Sequence, residues 1–341
     1  GRTHLSDTHV RVLSTLFIAL SAAAIAKPEV VTVFQAGEEG YKCFRIPSLL
    51  RLPSGAIALF AEGRKTLGCL DHGWVDIVIK VSEDNGTTWG PLRKVYGESN
   101  ETAHVTIGNP APVVAGGRVV LLFCRDNRAV LVLSSLDADG REWPSAPVDV
   151  TLPALGTSKP TWVATGPPGG IVLPGGRIVV EANWRSAETG GADVASALTS
   201  DDGGLSWSHG ADPVPNGNEG QVAAAPNGSL VLNAREGGDS RLLSWSNDRG
   251  ATWSSPLAWP KVGSACAGSM IRASERSLLF SHNHGDGGRR NLSLWRSDDS
   301  GASWLLLGHV DAEPSRFAAY STLLYLNETH SGLVYERGGG G

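Results

Sequence analysis

Methionine is nearly missing from this 341-residue chain, which has only one. Charge is sparse as well: 18% of residues are charged, and 34 acidic against 29 basic side chains leave a formal net charge of −5. A nucleic-acid partner needs a basic face, so nucleic acid is excluded as the main partner. Four cysteines, Cys43, Cys69, Cys124 and Cys266, contain no CxxC pair, which speaks against a zinc site. They either form disulfides, with three full pairings open, or stand as isolated buried thiols. Past residue 30 no helix longer than a few turns is signalled. The abundant residues are glycine, at 43, and tryptophan, at 11, within a chain that is 41% hydrophobic. That mix affords a sizeable core and fits many short strands joined by tight turns.

The N-terminus has the order of a secretory leader. Arg2 and Arg11 precede the apolar run "VLSTLFIALSAAAIA" (12–26), which ends in small residues before Lys27-Pro28. At about 15 residues the run is short of the roughly 20 a membrane span needs. A buried first strand or helix is the alternative. We therefore expect a signal peptide at 1–26, a single domain over 27–341, and a secretory destination, lysosomal or secreted. Glycosylation sequons stand at Asn85, Asn100, Asn227, Asn291 and Asn327.

Internal repetition sets the architecture. "SEDNGTTW" (82–89), "SDDGGLSW" (200–207), "SNDRGATW" (246–253) and "SDDSGASW" (297–304) share the pattern S-x-D-x-G-x-x-W, and "SLDADGREW" (135–143) is a copy with one extra residue. A period of about 50 residues indicates propeller blades, each a four-stranded antiparallel sheet. The pattern suits a hairpin turn: Asp accepts backbone N–H groups, Gly supplies a positive φ, and Trp folds over the blade. Calcium is the rival reading of the Asp residues, but no copy has the bidentate acid an EF-hand loop needs. Between the boxes run apolar strands such as "GAIALFAE" (55–62), "GRVVLLFC" (117–124) and "GSLVLNAR" (228–235). Six such strands and five boxes predict an all-β, six-bladed β-propeller closed by strands from both chain ends.

Polar residues that end or interrupt apolar strands point into a common mouth: Arg45, Arg64, Asp71, Glu219, Arg235, Arg289, Tyr320 and Glu336. Here "FRIP" (44–47), followed by several boxes, resembles the sialidase (neuraminidase) family over nearly the whole chain after residue 26. "AEGRK" (61–65) and "RRNLSL" (289–294) look closest to the lysosomal-type animal sialidases. The family fold is a six-bladed propeller with Asp-box repeats. The resemblance implies that Arg45, Arg235 and Arg289 form a triad gripping a substrate carboxylate, with Arg64 beside it. Arg290 is the alternative to Arg289. Tyr320 in "AYSTL" is similar to the family's nucleophile, Glu219 in "NEGQV" to its partner, and Glu336 in "VYER" to the acid that orients the first arginine. Asp71 matches the acid/base aspartate. Asp76 is the alternative, though it lies inside the apolar strand "VDIVIKV".

Chemistry calls for the same set. A sialoside carries a carboxylate on its anomeric carbon, and forked guanidinium hydrogen bonds suit it. That carboxylate would repel an Asp or Glu nucleophile, whereas a neutral tyrosine relieved of its proton by a neighbouring glutamate avoids the clash, and sialidases are the known exception to the two-carboxylate rule. No metal or cofactor is required. His282, His284 and Asp286 read as a polar loop, without metal-site spacing. The expected activity is release of terminal sialic acid from glycoproteins, gangliosides and oligosaccharides. A trans-sialidase and an inactive sialic-acid-binding lectin are the rivals. No feature of the sequence assigns a membrane or protective-protein partner. After "VYERG" (334–338) the chain runs into glycines, where family members continue into a further strand, so a short last blade is expected.

Overall fold

The computed structural model describes residues 30–157, 159–211, 214–236, 240–259, 266–285, 288–313 and 316–338, and the backbone of 11–19 and 260. Its strands form six antiparallel sheets, five of four strands and one of six. Each sheet has an inner strand at one edge: Cys43–Arg51, Ile107–Ala115, Trp162–Thr165, Asn218–Ala224, Ser269–Arg272 and Ala318–Asn327. Neighbouring inner strands touch in turn, with the third sheet meeting Asn218–Ala224 through its strand Ile178–Arg185, and the last inner strand touches the first. The fold is all-β with a propeller arrangement.

Apolar side chains fill the gaps between consecutive sheets. Phe60, Ile77, Leu121 and Phe123 pack between the first two sheets, and Val120, Leu122, Val180 and Trp184 between the next two. Phe34, Phe44, Leu59 and Val334 fill the gap between the last sheet and the first. Both faces of each sheet are thus covered, which is why the strands read as near-continuous apolar runs rather than alternating ones.

Each S-x-D-x-G-x-x-W turn is tied by its own side chains. In the first, the Gly86 N–H donates to Ser82 Oγ (2.7 Å), the Thr88 N–H to Asp84 Oδ1 (2.8 Å) and Trp89 Nε1 to the Gly86 carbonyl (3.1 Å). The same bonds recur at Ser200–Trp207 and Ser297–Trp304. The Asp carboxylates are taken by their own turns, and Gly86 and Gly204 carry φ of 90° and 95°, a region glycine enters at no steric cost.

The sheet holding the last strand, His330–Gly338, has four strands rather than the short set expected. Residues 11–19, inside the run expected as a leader, form a strand paired on one side with His330–Gly338 and on the other with Val31–Phe34. It satisfies the row of N–H and C=O groups that would otherwise be left open along His330–Gly338.

Two of the four cysteines are paired. Cys43 and Cys69 form a disulfide with Cα atoms 5.9 Å apart, while Cys124 and Cys266 are buried free thiols.

Candidate active site

The eight polar residues singled out in the sequence meet in one contact network. Arg45 is buried, and its Nε donates to both carboxylate oxygens of Glu336 (3.1 and 3.0 Å). Its Nη1 donates to Asp71 Oδ1 (2.8 Å). Its Nη2 is buried and meets no partner among the described residues. The guanidinium also lies 4.5 Å from the centre of the Tyr320 ring.

Tyr320 donates its hydroxyl towards Glu219, whose two oxygens both lie 3.2 Å away. Glu219 Oε2 in turn accepts from Arg235 Nη1 (2.6 Å). Arg289 Nη2 reaches the Tyr320 hydroxyl at 3.4 Å, and its guanidinium stacks over the same ring at 5.0 Å. Arg290 is exposed and contributes its carbonyl oxygen to Asn283 Nδ2 (2.6 Å). Of the two adjacent arginines, Arg289 is therefore the one at the tyrosine.

Arg64 is fully engaged. Its Nε and Nη2 hold Glu62 Oε2 (2.9 and 2.5 Å), while Nη1 holds Asp71 Oδ1 (2.7 Å) and the carbonyls of Cys69 and Leu70. Asp71 stands on the loop after the strand Ile57–Arg64 with its side chain 71% exposed, at the mouth of the cluster. Asp76 is buried in its strand, accepting from Tyr41 Oη (3.0 Å) and Trp74 Nε1 (3.3 Å).

Irregular backbone aims these side chains. The pairing register slips between Arg45 and Ser48, between Asn218 and Gly220, and between Ala319 and Thr322. Ile46 and Tyr320 take φ of 57° and 48°, left-handed values that a β-branched or bulky residue adopts only when its surroundings impose them. At Ile46 the imposed partner is visible: its N–H donates to Glu336 Oε1 (2.9 Å). Bulges of this kind re-aim a side chain at the cost of one ladder bond.

The charges set the protonation states. Burial pushes the Tyr320 phenol well above its ordinary range, Glu219 adds to this, and Arg45 and Arg289 oppose it. The phenol is thus protonated at rest and faces an acceptor. At Asp71 burial pushes upward, but Arg64 and Arg45 outweigh it and hold the carboxyl below its usual value.

Several residues at the site carry no marked signal in the sequence. Glu62 holds Arg64 and also accepts the Asn109 N–H (2.8 Å); its position two residues before Arg64, on the same strand face, was the available clue. Asn283 is buried, donating to the carbonyls of Arg290 (2.6 Å) and Ala318 (2.5 Å), and so ties the Arg289 loop to the tyrosine strand. Arg241 is buried beside Arg235 and bonds Asn233 Oδ1 (2.6 Å) and the Cys266 carbonyl (3.0 Å). Glu181 is buried, and desolvation, with Glu219 nearby, drives its pKa up. His282 is buried with its ring nitrogens against the carbonyl oxygens of Cys266 (2.9 Å) and Asn283 (3.0 Å), while Asp286 lies outside the described residues.

Residues 56–334 match the family described as the BNR repeat-like domain. A sialidase of Bacteroides fragilis is 27% identical over 90% of this chain and 62% of its own length. An exo-alpha-sialidase of Arthroderma benhamiae is 30% identical over 58% of this chain and 52% of its own. The chain thus spans between half and two thirds of the length of these relatives. Among solved structures, a Hadza microbial sialidase superposes with a TM-score of 0.77 at 24% identity, over 92% of this chain and 68% of that one. The chain belongs to the family described as the BNR repeat-like domain, and the relatives and the solved structure it resembles are sialidases.

Proposed function

We propose that this chain is an exo-α-sialidase that releases terminal sialic acid from glycoproteins, gangliosides and oligosaccharides, on a six-bladed propeller whose repeat is the S-x-D-x-G-x-x-W turn. One observation carries the reading: the Tyr320 hydroxyl lies between the Glu219 carboxylate and Arg289, beneath Arg45 with its open Nη2. Arg45 and Arg235 come from strands of two sheets and Arg289 from the loop between two strands of a third, and they surround a position for the substrate carboxylate, each charge-assisted bond contributing about 1.5–3 kcal/mol.

Glu219 takes the proton from Tyr320 as the phenolic oxygen bonds the anomeric carbon, and Arg45 and Arg289 stabilise the growing negative charge. The glycosidic C–O bond breaks, and its oxygen receives a proton from Asp71. Water, giving its proton to Asp71, then displaces the tyrosine, which regains a proton from Glu219. Two displacements at one carbon retain configuration. Asp71 needs a higher pKa for its first task than Arg45 and Arg64 allow at rest. A substrate carboxylate that draws Arg45 away and brings a negative neighbour raises it. The Cys43–Cys69 bond supports the secretory destination, since disulfides form in oxidising compartments.

The test is release of free sialic acid from sialyllactose, followed by NMR so that the anomer formed first is seen. Wild type should release the α-anomer, and Tyr320→Phe should lose turnover while keeping its fold. Ligand binding without turnover in wild type would instead mark a lectin, and first release of the β-anomer would overturn the tyrosine nucleophile.

A further inference from the structure

Little that is apolar lies under the loop that carries Asp71. Its short turn, Leu67–Cys69, buries no residue, and Leu67 and Leu70 are 76% and 44% exposed. Hydrophobic burial, which fixes most packed segments, is therefore not what places this aspartate. The base of the loop is closed by the Lys65 N–H to the Trp74 carbonyl (3.0 Å) and the Trp74 N–H to Thr66 Oγ1 (3.1 Å). The tip is held by Arg64, whose Nη1 reaches the Cys69 and Leu70 carbonyls (3.0 and 2.9 Å), and by the Cys43–Cys69 disulfide.

The disulfide joins two points of chemical consequence. Cys43 is two residues before Arg45, and Cys69 is two residues before Asp71. In the resting site Asp71 is bonded to Nη1 of Arg45 while Nη2 is open, so a substrate carboxylate taken in the forked manner by Nη1 and Nη2 displaces Asp71 from Nη1. Once it leaves Arg45, the ties left to the loop tip are the Arg64 contacts, which exchange readily, and the covalent link, which does not and is anchored where Cys43 lies buried in the arginine strand.

We propose that the Cys43–Cys69 disulfide is a positioning element of the reaction: it keeps the acid/base aspartate within reach of the leaving oxygen after Asp71 has released Arg45. This rests on the sialidase reading with Asp71 as the acid. A disulfide that served stability alone would affect all substrates alike. One that positions the acid affects the step that needs a proton.

The experiment compares kcat/KM on sialyllactose, whose leaving group needs protonation, with that on an aryl sialoside, whose leaving group does not. It uses the full chain as wild type, Cys43→Ser, Cys69→Ser, Asp71→Ala and the Asp71→Ala/Cys69→Ser double variant, at a temperature where each is folded. Each serine variant should lose roughly 10- to 100-fold more on sialyllactose than on the aryl substrate, part of the ~10²–10⁴ that general acid catalysis supplies. That extra loss should vanish in the Asp71→Ala background. Equal losses on both substrates, or an extra loss that persists without Asp71, would overturn the proposal. Asp71→Ala alone keeps the two ideas apart: equal losses there would sink the acid assignment and the tether with it, while a selective loss there beside equal losses in the serine variants would sink the tether alone. Should the serine variants not fold, dithiothreitol treatment of folded wild type makes the same comparison, the disulfide becoming two thiols as the reagent is oxidised to its cyclic disulfide.

Discussion

Arg45 and Glu336 stand 291 residues apart in the chain and 3.0 Å apart in the fold, with side chains 4% and 0% exposed. The same carboxylate takes the Ile46 N–H, so one acid fixes both the guanidinium and the strained backbone beside it. Removing one partner of a buried pair leaves an uncompensated charge, at a cost of about 3–5 kcal/mol. Glu336→Ala should lose stability on that scale in urea unfolding, together with most activity. Glu336→Gln, which keeps the shape and part of the hydrogen bonding, should lose less. An unchanged unfolding midpoint for Glu336→Ala would show that the pair does not hold the ring.

Arg289 and Arg290 are adjacent, yet only Arg289 reaches Tyr320. Loss of one charge-assisted bond to the substrate of about 1.5–3 kcal/mol is roughly a 10- to 150-fold change. Arg289→Ala should lower kcat/KM by that factor or more, and Arg290→Ala, whose structural contact is through its backbone carbonyl, should stay near wild type. The reverse order would exchange their roles.

Asp71 gives a pH signature with a definite sign. Its folded pKa lies below the ordinary value of 3.8 because Arg64 and Arg45 outweigh burial. A depressed carboxylate contributes stability that is present above the unfolded pKa and is lost as pH falls through the folded one. The stability difference between wild type and Asp71→Asn should therefore be present at neutral pH and shrink below about pH 4. It should be small, since most of the side chain faces water. Urea midpoints at several pH values provide the check, and a difference that grows on acidification would contradict the assignment.

Much of this was legible in the sequence, for physical reasons. Four S-x-D-x-G-x-x-W turns are local devices, closed by bonds within eight residues, so their pattern survives in one dimension. Arg45 and Glu336 stand out because a charge inside an apolar run demands a partner. The disulfide does not stand out: Cys69 reaches Cys43 only because a loop folds back across a neighbouring strand. Asn283 and Glu62 are hidden for a similar reason, since a polar residue at a strand end has many ordinary uses. The run 12–26 fits both a leader and a strand, because each needs little more than a short apolar stretch.

That last ambiguity has a direct assay. Residues 11–19 pair along the whole of His330–Gly338. Deleting residues 1–26 should open that edge and lower Tm by several degrees, given roughly 2–4 °C per kcal/mol for a domain of 150–250 residues and less for a larger one. An unaltered Tm would identify the run as a leader that the folded domain does not use.

The tether between Cys43 and Cys69 bears on how the protein is made and screened. Neither Cys43 nor Cys69 belongs to the apolar seams that build the ring, so the proposal predicts that folded material from a reducing expression host carries a slack acid loop. Such a preparation would pass a fluorogenic screen, whose aryl leaving group departs unaided, and then disappoint on a glycoprotein. A batch judged by the convenient substrate alone would be certified active for the wrong bond.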